Sequence, residues 1–309
     1  MKSNKTILDR SHLLTLENKT YKKVVKDYFA WILHQDLFRK GDLTVNCFQE
    51  VFEKKAKAQI KNKSKGGIFA GKEEIAFLFD SHNIEYQFFC QDGDSFSQSN
   101  SVLVELQGKA SDILKVERLS LNLLQRMVSI ATVTNTFVSI LESSDSRSKI
   151  TATRKNILGL IDKKAVSVGG GLTHRLGLFD GVLFKDNHLK MIKEKGISSK
   201  NIVGVKTNLV EVEVEKVSEA LVFADNLRNF GKDVVIMLDN FSVNMAHDAI
   251  KKIEEIQLKK GNRNKIFTEI SGGVDLDNLE IYGTAGADFI SSSKLGLYSS
   301  IVDLSLDFV

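Results

Sequence analysis

The sequence has 309 residues, 42% hydrophobic and 27% charged, a globular balance that supports a sizeable buried core and excludes a disordered or fibrous chain. No run approaches the roughly 18 apolar residues of a membrane span, and the amino terminus lacks the apolar stretch of a signal peptide, so a cytoplasmic protein with no membrane partner is expected. The net charge of +4 comes from 34 lysines, spread along the chain among acidic residues, and nine arginines, a pattern that reads as a solvated surface and argues against a nucleic-acid partner.

The segment NKTYKKVVKDYFAWILHQD sets Tyr21, Val24, Val25, Tyr28, Phe29, Ile32 and Leu33 at helical spacing and predicts an amphipathic helix. The strand-like runs AKAQIKNKS, IEYQFFCQ and SVLVELQGKA follow, with a helical KEEIAFLFDSH and a polar turn DGDSFSQSN between them. They compose a small α+β domain ending near residue 115. The next run, SDILKVERLSLNLLQRMVSIATVTNTFVSILES, predicts a helix of some thirty residues broken once around Ser129 to Thr132. Cys47 and Cys90 are too few for a disulfide framework or a structural zinc site. Proline is absent, and the sequence offers no functional reason for it.

From residue 150 the pattern becomes strand then helix, repeated. The strand runs are KITATRK, GVLFKDN, NLVEVEVE, DVVIMLDN, KIFTEISGG and ADFISSS, an alternation that predicts parallel βαβ units. Six units fall short of the usual eight, so the class expected is α/β with an incomplete, open barrel. Each strand is apolar in its body and polar at its carboxyl end, the face on which such barrels build active sites.

Those ends supply a cationic side, Arg154, Lys155, His174, Arg175 and Lys185, suited to an anion with more than one negative group. Lysine is this chain's default cation, yet five of its nine arginines fall between 118 and 175, where planar bidentate donors have work to do. An acidic side, Glu213 and Asp239, offers hard oxygen ligands for Mg²⁺. Ser271 with Gly272 and Gly273, and the serine run ending at Ser293, free backbone N–H groups for a phosphate. Taken singly, a GG after a strand is more often a plain turn, and EVEVE could be a strand with one wet face. Together they imply a small polyacid and a magnesium-bound polyphosphate as substrates.

The ordered motifs ERLSLNLLQRMVSIAT, TRK with GL after it, VSVGGGLTHRLGLFDGVLFKDNH, EVEVE, VVIMLDN, EISGGV and the tail VDLSLDF closely resemble quinolinate phosphoribosyltransferase, also called nicotinate-nucleotide pyrophosphorylase (carboxylating). The likeness runs from about residue 35, with GDLT at 41 to 44, to the end of the sequence. It implies an N-terminal α/β sandwich over 1–116, an open α/β barrel over 117–296 and a tail 297–309 packed back on the first domain. It also implies transfer of phosphoribosyl from phosphoribosyl pyrophosphate to quinolinate with loss of CO₂, giving nicotinic acid mononucleotide. A homodimer with a shared site, able to pair further into a hexamer, is implied, in which Arg118 reaches the neighbour's quinolinate. Arg154, His174, Arg175 and Lys185 would surround the carboxylates and Lys155 would reach the pyrophosphate. Glu213 and Asp239 would contact ribose and magnesium, and Ser271, Gly272 and Gly273 the 5′-phosphate.

The chain departs from the family's DTRKTTPGLR at Ala152, at Asn156 to Leu158 and at Ile161, and has Ser293 followed by KLGLY where the family has Gly and LTHS. These changes border the acid and phosphate loops and put affinity in question, but the cationic set and both acidic ligands remain, so an active enzyme is expected. The alternatives are a relative with another acceptor such as nicotinate, a non-catalytic relative, and a Schiff-base aldolase with Lys185 as nucleophile. Four further cations around Lys185 argue against the last.

Overall fold

The computed structural model describes residues 6–192, 205–259 and 263–309. Two compact units share the chain. One comprises Met1–Arg10, Thr136–Asn156 and Gly171–Tyr298, the other Ser11–Asn135, Ile157–Gly170 and Ser299–Val309. This interleaving differs from the contiguous division at 116/117, and side-chain contacts explain it. Within the second unit, Asp162 accepts from Arg126 Nε at 3.0 Å and Nη2 at 2.8 Å and caps the amides of Ile157 and Leu158. Within the first, Leu8 is fully buried among Leu209, Val235 and Phe289.

In the second unit, strands β1 (Lys55–Asn62), β2 (Gly67–Ile68), β3 (Glu85–Phe88), β4 (Ser95–Phe96) and β5 (Val102–Lys109) are joined by the chain's last strand, Leu304–Phe308. That strand pairs antiparallel with β1, which pairs with β5, which pairs with β3. The helix Lys19–Leu37 opens where Asn18 accepts from the amides of Thr20 and Tyr21, and it buries Tyr21, Val25 and Phe29, the inward stripe that its spacing predicts.

The helix Ala110–Ser143 is unbroken, against the expected break. Ser129 Oγ donates to the Gln125 carbonyl at 2.5 Å and Thr132 Oγ1 to that of Val128 at 2.7 Å. The hydroxyls thus satisfy themselves on the helix's own carbonyls instead of interrupting it, while Val128, Ile130 and Ala131 are fully buried.

The first unit holds β6 (Lys149–Thr151), β7 (Val182–Phe184), β8 (Val210–Val214), β9 (Val234–Asp239), β10 (Ile266–Ser271) and β11 (Phe289–Ser291). All neighbours are parallel, in the order β6-β11-β10-β9-β8-β7. Leu172 adds a parallel bridge to Thr151 beside β6. Among the described residues nothing joins Leu172 to β7, so the barrel stays open there. Strands β8, β9 and β10 are buried along nearly their whole length, as parallel strands covered on both faces must be. Among the described residues no helix is long and apolar enough to cross a membrane.

Candidate active site

Side chains on a strand alternate between faces, and this period sorts the barrel interior by height. At the amino ends of the strands Leu209, Val235, Phe267 and Phe289 close the base with Ile7 and Leu8. Two residues further along the same faces come Glu211, Met237, Glu269 and Ser291, and two further still Glu213, Asp239 and Ser271. Glu213, Asp239 and Ser271, with Met237, Glu269 and Ser291 before them, line a cavity of about 360 Å³ together with Arg154, Lys155, His174, Arg175 and Lys185. Eight of the side chains expected at the site from the sequence therefore share one cavity.

Its electrostatics are divided. Arg154 and Lys155 project from the loop after β6, where Thr153 Oγ1 accepts the Lys155 amide at 3.0 Å. Arg175 is buried at 5% exposure, and burial first, then the nearby charge of Arg154, lowers its pKa. Lys185, just past β7, donates to Glu213 on β8. Burial raises the pKa of Asp239, and the charge of Glu213 adds to the rise, while Lys185 and Lys155 oppose it. Two hard carboxylates that repel one another beside a cationic wall form a donor set that fits a divalent cation bound with a phosphate substrate.

Ser271 ends β10 in register with Asp239. Gly272 follows with φ 92° and Gly273 with φ 69°, a left-handed turn that L residues avoid. A Cβ on Gly272 would lie 2.8 Å from Asn240 Cγ, so only glycine fits over that asparagine. Gly272, Gly273 and Ser293 are not among the residues lining the cavity; Ser291 is. Ser293 instead precedes the short helix Lys294–Leu297. Of the departures from the family pattern, Ala152 lines the cavity and Ile161 is buried in the other unit. Arg118 is a solvent-exposed residue of the helix Ala110–Ser143, also in that other unit.

Sequence reasoning passed over two residues. Glu211 and Glu269 are fully buried, and His174 Nε2 lies 3.2 Å from Glu211 Oε2 and 3.5 Å from Glu269 Oε2. Burial pushes the Glu211 carboxyl up to about 8; Arg175 pulls against the rise and Glu213 adds to it. The period of two held the signal. If Glu213 faces the cavity, Glu211 lies on the same face one layer down, as Glu269 lies below Ser271.

A family model described as Quinolinate phosphoribosyl transferase, C-terminal domain, matches residues 130–307, and one described as Quinolinate phosphoribosyl transferase, N-terminal domain, matches residues 42–128. A Methanocaldococcus jannaschii protein named "Probable nicotinate-nucleotide pyrophosphorylase (carboxylating)" is 35% identical over 293 residues, covering 93% of this chain and 99% of its own. A Nicotiana glauca protein, "Quinolinate phosphoribosyltransferase (decarboxylating) 1", is 33% identical over 299 residues, 91% of this chain and 81% of its own. Among solved structures, the nicotinate-nucleotide pyrophosphorylase of Ehrlichia chaffeensis superposes with a TM-score of 0.79 at 27% identity, over 94% of this chain and 98% of that one.

Proposed function

The chain belongs to the quinolinate phosphoribosyltransferase family, and from that premise we propose that the cavity at the strand ends is where it joins phosphoribosyl pyrophosphate to quinolinate. The enzyme transfers the phosphoribosyl group to the ring nitrogen, releases pyrophosphate and CO₂, and yields nicotinic acid mononucleotide for NAD synthesis. The observation that carries the assignment of the site is the division of one cavity into a cationic wall and a carboxylate wall.

In this reading Arg154 and Arg175 take the two carboxylates of quinolinate, guanidinium forks matching planar acids. Held there, the ring nitrogen faces C1 of the ribose, and positioning of this kind contributes up to roughly 7 to 11 kcal/mol in model reactions. As the C1–O bond to pyrophosphate breaks, positive charge grows on the ribose and negative charge on the leaving oxygens. Glu213 and Asp239 stabilise the first and Lys155 the second, while Lys185 orients Glu213. Glu213 and Asp239 also hold Mg²⁺, whose chemistry when bound is neutralisation of the diphosphate. The amides around Ser271, Gly272 and Gly273 receive the 5′-phosphate. Once the ring nitrogen is quaternary, the C–C bond to the 2-carboxylate breaks, CO₂ leaves, the positive nitrogen stabilises the electron pair left at carbon 2, and a proton from solvent bonds to that pair. Arg118 serves the site of a second copy in a homodimer, and pairing of such dimers would give the hexamer.

The test is formation of nicotinic acid mononucleotide by the purified protein from phosphoribosyl pyrophosphate and Mg²⁺, with quinolinate and nicotinate supplied in separate reactions. Product from quinolinate with an equal yield of CO₂ is expected. Product from nicotinate alone would reassign the acceptor, and none from either would make the chain a non-catalytic relative.

A further inference from the structure

At the floor of the cavity, which Glu269 helps to line while Glu211 lies outside its wall, are two carboxylates for which the reaction above has no use. Glu211 on β8 and Glu269 on β10 flank β9 and are fully buried. Burying a carboxyl group is costly unless polar partners surround it. Both point at one atom, His174 Nε2, at 3.2 and 3.5 Å.

The other ring nitrogen of His174 settles the direction of that contact. Nδ1 accepts the main-chain N–H of Arg175 at 2.7 Å, and a nitrogen that accepts carries no proton. The ring proton therefore sits on Nε2, facing the carboxylates. The imidazole is engaged at both ends, with the acid pair on one side and the Arg175 backbone on the other. His174 also holds φ 52°, a left-handed conformation that a non-glycine residue keeps only when its surroundings enforce it.

The loop that follows is tied down in the same manner. Arg175 Nη1 donates to the Gly181 carbonyl at 3.1 Å, and Asp180 accepts the Leu176 amide at 2.9 Å and Arg10 Nε at 3.1 Å. Thus the backbone of Arg175 is gripped from below by His174 and its side chain is steered along the loop.

We propose that Glu211 and Glu269 are positioning residues, which act through His174 to fix the main chain of Arg175 and so aim its guanidinium at the acceptor acid. The sequence reading put His174 on the quinolinate carboxylates, and His174 lines the cavity; in this proposal it also serves as a strut. The inference rests on the functional reading above, since it presumes an acid substrate on Arg175.

The test uses the full chain with Glu211→Leu, Glu269→Leu, their Gln counterparts, His174→Ala and Arg175→Ala, alone and in pairs. Each leucine variant is expected to raise KM for quinolinate roughly tenfold while KM for phosphoribosyl pyrophosphate stays within about twofold, and each Gln variant, which keeps a polar oxygen facing Nε2, is expected to recover most of that loss. In a His174→Ala background the leucine substitutions should add less than about twofold, because a residue acting through another has nothing further to lose. If the leucine variants do not fold, the His174→Ala and Arg175→Ala pair decides. His174→Ala should then cost less than about twofold once Arg175 is gone.

Additive losses in either cycle, or equal changes in both KM values, would overturn the proposal. So would a stoichiometric metal that stays with the protein through desalting into chelator, because the three ligand atoms lie within 4.8 Å of one another and would then be a metal centre. A wild-type protein inactive with quinolinate would instead refute the functional reading itself.

Discussion

Arg154 is exposed at the end of the first barrel strand, where an isolated cation would normally be a solvated group. Its partners in one cavity, Arg175 and Lys185, give it a different meaning, and a lysine in its place keeps the charge but loses the fork. Arg154→Lys is expected to raise KM for quinolinate roughly tenfold to a hundredfold with little change in Tm, read from initial rates and a thermal melt. Gly272 supplies a sharper case, because both its φ of 92° and the proximity of Asn240 forbid a side chain. Gly272→Ala should displace the turn and raise KM for phosphoribosyl pyrophosphate by about tenfold or more, as expected when strain at a special backbone position moves a binding loop. Both residues were legible in the sequence by type and place. Glu211 and Glu269 were legible only by parity, since nothing in EVEVE or EISGG says that an imidazole waits between them.

At the scale of elements, the six barrel strands lie where their apolar runs predict them, because parallel strands buried on both faces leave a strong composition signal. The long helix is different. Its serines and threonines read as a break, and the outcome hinged on where the hydroxyls found acceptors. Ser129 Oγ donates within the helix and also accepts the amide of Val302 at 2.8 Å, a contact across 173 residues of sequence. Val302 is nearly buried, so Ser129→Ala would strand its N–H. A loss of about 1–3 kcal/mol in unfolding free energy is expected, measured by denaturant titration with the helix content unchanged by circular dichroism. A break in the helix of the variant would contradict it.

Stability of the whole molecule should carry the signature of a further buried acid, one that belongs to the other unit. Glu74 is fully buried, Tyr21 donates to it at 2.6 Å, and burial pushes its carboxyl up to about 7. An unfolded glutamate titrates near 4.3. Between these values the native protein keeps a proton that the unfolded chain has released, so the stability is complete below about 4.3 and is lost as pH rises through about 7. Between pH 5 and pH 8 the contribution lost is on the order of 2–3 kcal/mol. Glu74→Gln keeps the acceptor for Tyr21 and removes the titration, so its unfolding free energy should be higher than the wild type's at pH 8 and nearly equal at pH 4. Parallel pH profiles for the two proteins would rule this out.

Local chemistry was determined by the sequence alone. The period of each strand, the polar residues at the carboxyl ends and the order of the motifs are properties of neighbouring residues, and they carry the barrel, the family and most of the cavity wall. What the tertiary structure decided were the matters that depend on partners distant in the chain. The assignment of residues 157–170 to the N-terminal unit through Arg126 and Asp162, the continuity of the helix through Ser129, and the burial of Glu211 and Glu269 beside His174 all rest on polar contacts. Such contacts join residues tens to hundreds apart, and no local pattern announces them, because a buried polar group is stable only when its partner is supplied by the fold.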